Sequence, residues 1–131
     1  VISKLALIVV ALALAGCASV GDRGSAADSV ALRLLTAVAD KDGATACATL
    51  APDTAAELEQ SAAKPCAEAI LSEDLPGPGT VTDTDVYGQW AQVRVTGDTL
   101  FLAVFPGGWR VVAAGCTPRE ARPYNCTLQG S

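Results

Sequence analysis

Five thiols and no imidazole set the chemistry open to this chain. The cysteines are Cys17, Cys47, Cys66, Cys116 and Cys126, and the 131 residues include no His. Ser-His-Asp triads, Cys-His nucleophiles and ordinary His-ligated metal centres are thereby excluded. A thiolate zinc site needs closely spaced pairs such as C-x-x-C, and none occurs, so no metal ion is expected. Paired carboxylates could do acid–base work, and Asp83 and Asp85 share one face of the run TVTDTDVYG. Like charges so placed read better as protection of an exposed sheet edge. The phenols add little: Tyr87 ends that run, and Tyr124 sits between the last two cysteines, outside any expected pocket. No catalytic residue and no cofactor are expected.

Asp40-Lys41-Asp42-Gly43 opens like a calcium loop. The register fails, because Gly comes too early and Ala51 stands where the bidentate Glu belongs. The segment reads as a helix end followed by a turn. Composition narrows the partners. Fourteen acidic against nine basic residues give a net charge of −5, and no basic cluster is present to neutralise phosphates, so nucleic acid is not an expected partner.

The N-terminus carries the strongest signal. Lys4 precedes an uninterrupted apolar run, Leu5 to Ala15. As a helix the run covers about 16 Å, half a hydrocarbon core, which is short for a transmembrane span and right for a signal-peptide core. It ends in Leu14-Ala15-Gly16-Cys17, which resembles the lipobox of bacterial lipoproteins. The resemblance implies cleavage after Gly16, so that residues 1–16 are a signal peptide. It also implies a diacylglyceryl thioether on Cys17, anchoring the chain at the outer face of the cytoplasmic membrane. Two or more acyl chains, at about 0.8 kcal/mol per buried CH₂, hold where one does not. The plainer alternative is secretory cleavage at Ala13-Leu14-Ala15.

Acylation of Cys17 leaves Cys47, Cys66, Cys116 and Cys126 in an oxidising compartment, where they pair as disulfides. Four thiols allow three connectivities, and sequence does not choose among them. Proximity favours Cys47–Cys66 and Cys116–Cys126, the second closing the loop Thr117–Asn125.

These groups must be positioned by a domain spanning 28–131. Residues 17–27 (small, polar, unpatterned) read as a lipidated N-terminus and flexible tether. From Asp28, Val30, Leu34, Leu35 and Val38 follow a 3.6-residue period, ended by Gly43. Short helices follow over Ala44–Leu50, Thr54–Ala63 and from Pro65. LPGPGT at 75–80 breaks the pattern. Four strand-like runs then follow, Thr80–Tyr87, Gln89–Thr96, Thr99–Phe105 and Trp109–Ala114, separated by turns short enough for hairpins. Helices first and an antiparallel meander after make the fold class α+β, with N-terminal short helices packed on a four-stranded sheet. The opening helix DSVALRLLTAVADKDGATACATLAP and the closing strand PGGWRVVAAGC resemble the cystatin-like, NTF2-like domains of small actinobacterial lipoproteins.

Trp90, Trp109, Phe101 and Phe105 could line a ligand groove, although aromatics on the strands of a small sheet usually belong to the core. Trp90 is the best contact candidate, since Gln92 and Arg94 share its face. Arg119 and Arg122, between Pro118 and Pro123, would form a basic knob on an acidic domain. The expected function is a non-catalytic binding or accessory module of the cell envelope, anchored to the membrane through Cys17, with an envelope protein or a small ligand as partner. The alternatives are an NTF2-like enzyme and a carrier of small apolar ligands.

Overall fold

The computed structural model describes residues 19–130. The expected signal peptide and Cys17 lie outside the described residues. Helix α1 spans Val20–Ala39, so the stretch read as a tether is helical from its second described residue. Two local features explain the early start. The Ser19 hydroxyl accepts from the Asp22 amide at 3.1 Å while the Asp22 carboxylate accepts from the Ser19 amide, a reciprocal capping box. One turn on, Gly24 is buried where an added Cβ would touch Thr84 Cγ2 at 3.6 Å. Arg23 then reaches the sheet: its guanidinium donates to the Gly88 carbonyl and lies 5.5 Å from the Trp109 ring centroid.

Helix α2 (Gly43–Ala48) is capped by Asp42, whose carboxylate accepts from the Thr45 amide at 3.1 Å. Those hydrogen bonds from Thr45 hold the Asp42 carboxyl below its usual value. Helix α3 (Pro52–Ala62) opens with Pro52 in its first turn, where a missing N–H costs nothing. Pro52 therefore starts this helix, and Thr54 lies inside it. Its hydroxyl donates to Val112 O at 2.8 Å instead of capping. Helix α4 (Cys66–Ala69) runs into a single 3₁₀ turn, Ile70–Ser72.

The sheet has five strands, not four: β1 (Val81–Tyr87), β2 (Trp90–Val95), β3 (Asp98–Phe105), β4 (Gly108–Arg119) and β5 (Arg122–Gln129). They form an antiparallel meander in the order β1-β2-β3-β4-β5, each hairpin turning on two residues. The expected loop Thr117–Asn125 is thus the tip of a β4–β5 hairpin. Its two prolines sit where a sheet tolerates them: Pro118 at a register shift in β4, Pro123 in the edge strand β5. The β4 edge not reached by β5 is paired by Thr49–Ala51, through Val111 N to Thr49 O and Ala51 N to Val111 O, both 2.8 Å.

In such a meander the turns alternate between two ends. The β1–β2 and β3–β4 turns share one end with the start of α1, which Arg23 ties to Gly88. The β2–β3 and β4–β5 turns share the other. The helices cover one sheet face, and Leu34, Leu35, Ile70, Leu100, Leu102 and Val111 between them are fully buried. Each contributes roughly 1.5–3 kcal/mol relative to exposure. Cys47–Cys66 links α2 to α4 with Cα atoms 6.1 Å apart, and Cys116–Cys126 staples paired positions of β4 and β5 at 4.0 Å.

Candidate functional site

Strand β2 alternates cleanly. Ala91, Val93 and Val95 are buried against the helices, which turns Trp90, Gln92 and Arg94 to the open face. Register brings β3 residues alongside, with Gln92 opposite Phe101 and Trp90 opposite Ala103. On this face lies an open groove of about 360 Å³, lined by Trp90, Phe101, Val112, Ala113, Pro123, Tyr124, Cys126 and Gln129. Tyr124 meets Phe101 edge to face, centroids 5.1 Å apart and planes at 72°. Its hydroxyl oxygen accepts from Gln92 Nε2 at 3.3 Å.

The groove contains no side chain charged at neutral pH. It offers ring faces, aliphatic surface and amide dipoles, which suit binding of an uncharged or apolar group more than moving a proton. Tyr124, expected outside any pocket, is one of its walls. The two prolines nearby had concealed the strand that delivers it.

The four aromatics named from sequence divide. Trp109 is buried in the core, Trp90 is 55% exposed, and Phe101 and Phe105 are half-buried. Arg119 and Arg122 face each other across the β4–β5 turn, both exposed, and Arg119 Nε donates to Pro123 O at 2.9 Å. They stand at the far end of the sheet from the start of α1.

Asp83 and Asp85 are not simply an unpaired acidic edge. Arg94 bonds both, Asp85 at 3.3 Å. Partial burial of Arg94 works against its charge, but the two carboxylates outweigh that and hold its pKa above the ordinary value. Asp98, which sequence did not single out, is the buried carboxylate. It accepts from the amides of Thr99 (2.7 Å), Cys116 (3.0 Å) and Gly115 (3.1 Å). Burial pushes its pKa up, opposed by the three amide hydrogen bonds. Every hydrogen bond it makes is to backbone, so its work is to tie β3 to β4.

A polar cleft of about 120 Å³ between α3 and β5 brings Glu57 and Glu73 near Ser61 and Thr127. Among the described residues no three His, Cys, Asp or Glu side chains converge to hold a metal, and no helix is long and apolar enough to cross a membrane. The chain matches no known family, no curated protein and no solved structure.

Proposed function

We propose that the chain is a lipid-anchored extracytoplasmic protein, held at the outer face of the cytoplasmic membrane through Cys17, and that it acts as a non-catalytic binding or accessory module of the cell envelope. The anchor rests on Leu14-Ala15-Gly16-Cys17. The binding role is carried by one observation, the uncharged groove of Trp90, Phe101 and Tyr124 on the sheet face that the helices leave open. Two disulfides in so small a domain fit an oxidising compartment. Helices followed by a meander, packed on one face, support a cystatin-like or NTF2-like reading of the α+β fold. The carrier alternative draws on the same groove.

The test is the intact mass of the protein recovered from its native membranes, with and without Cys17→Ala. Residues 17–131 plus a lipid adduct and minus four hydrogens are expected for the unsubstituted chain. An unlipidated, secreted mass would overturn the anchor.

A further inference from the structure

The helix that replaces the expected tether has a consequence for how the domain sits. If Cys17 carries lipid, as proposed above, one residue separates it from Ser19, where α1 is capped. Two peptide units span at most about 7 Å whatever their conformation. The interfacial layer beside the hydrocarbon is itself roughly 6 Å deep on each side. The start of α1 is therefore held at the headgroups, and so is whatever shares its end of the molecule.

That end is unusual. Arg23 in the first turn of α1 binds Gly88 O in the β1–β2 turn, and the Val104 amide donates to Gln89 O at 3.0 Å, joining β3 to the same place. Tyr87 and Trp90 flank the turn as a cross-strand pair, 60% and 55% exposed. Val104, on the helix-covered side of the sheet, and Val20, at the start of α1, are exposed at the same end. Of the five large hydrophobic side chains exposed among the described residues, only Leu71 lies outside this group. Large apolar side chains left exposed around one end of a small domain mark a contact surface. Trp and Tyr with an adjacent Arg are the side chains that partition to a bilayer interface, where a ring is half in lipid and its polar edge stays wet. Asp22, the acid of the first turn, is occupied with the Ser19 amide.

We infer that this end of the domain, with Tyr87 and Trp90 on the open face of the sheet and Val20, Arg23 and Val104 on the helix side, is a membrane-contact surface that seats on the lipid interface next to the acylated Cys17. The partner is the bilayer itself. The domain then stands with its β4–β5 hairpin and Arg119 and Arg122 pointing away from the membrane.

The experiment uses the full acylated protein, purified from membranes and reconstituted into phosphatidylcholine–phosphatidylglycerol vesicles with or without brominated acyl chains. The Trp90 signal is the difference between the unsubstituted protein and Trp90→Phe, which leaves Trp109 and the core untouched. Brominated lipid is expected to reduce the Trp90 emission, and vesicle binding to shield it from aqueous iodide. Protein that floats with the vesicles while Trp90 stays open to iodide and unquenched by brominated lipid would overturn the contact surface and leave the anchor standing. Protein that does not float at all would overturn the anchor and the inference with it.

Discussion

Asp98 accepts a hydrogen bond from the amide of Gly115 at 3.1 Å, joining the first residue of β3 to a β4 residue with φ +65°. Cys116, next along, donates to the same carboxylate and is bonded to Cys126, so three constraints meet at one point of the sheet. Asp98→Asn keeps the size and loses the acceptor-only character, leaving an NH₂ group against backbone amides. The substitution is expected to cost about 2 kcal/mol at neutral pH, read as a shift in urea midpoint with the disulfides intact.

The same carboxylate makes stability fall with rising pH. Burial raises its folded pKa above the ordinary 3.8, so between these values the native state holds the proton that the unfolded chain has lost. The proton-linked part of its contribution is complete below 3.8 and is lost as pH climbs through the folded value. Asp42, with its pKa lowered by Thr45, has the opposite sign: its contribution is present above 3.8 and lost as pH falls. The two separate by difference. The stability gap between wild type and Asp98→Asn is expected to narrow as pH rises through that window, in parallel urea titrations.

Gly43 sits where α2 comes against the backbone of α4. A Cβ there would stand 1.9 Å from the carbonyl oxygen of Ala67, so α2 and α4 meet only because the side chain is a hydrogen. Gly43→Ala is expected to cost about 3 kcal/mol, because backbone rather than a flexible side chain must move. Gly77→Ala, with nothing within 4 Å, is the control and is expected to be nearly neutral. Denaturant melts of the two variants side by side check this.

What could be read in advance follows the reach of local physics. The 3.6-residue period of Val30, Leu34, Leu35 and Val38 and the alternation of Ala91, Val93 and Val95 are local signals of burial, and the elements expected there are present. The start of α1 was not legible from propensity, since Gly21, Gly24 and Ser25 all disfavour helix. Ser19-x-x-Asp22 was the signal available. The rest comes from Gly24 against β1 and Arg23 on Gly88, contacts some 60 residues apart in sequence. The fifth strand was hidden by Pro118 and Pro123, whose acceptability depends on a bulge and an edge that exist only once β4 and β5 pair. Trp90 was legible as facing outward. The groove beside it was not, because Tyr124 arrives on that missed strand.

Both cystine bridges should leave no reactive thiol. Denatured, unreduced protein is expected to give none with Cys17 acylated and one without, and two or more per chain would contradict the pairing. Cys47→Ser with Cys66→Ser opens a closure of 19 residues and is expected to lower stability by about 3 kcal/mol in the chain-entropy model. Thiol titration and thermal melts report the two effects independently.

The two tryptophans sit in opposite surroundings and should separate accordingly. Trp109 is 8% exposed, packed in the core beneath the Arg23 guanidinium, so truncation leaves a cavity that the sheet cannot close. Trp109→Ala is expected to cost about 3–5 kcal/mol. Trp90, more than half exposed, gives up only its contact with the strand beneath, and Trp90→Ala should cost about 1 kcal/mol. Emission distinguishes them in the native state. Loss of Trp90 should remove the long-wavelength, iodide-accessible part of the spectrum, and loss of Trp109 the short-wavelength, protected part. A Trp90→Ala variant as destabilised as Trp109→Ala would mean that Trp90 is a core residue, and the groove it borders would lose its standing as a binding surface.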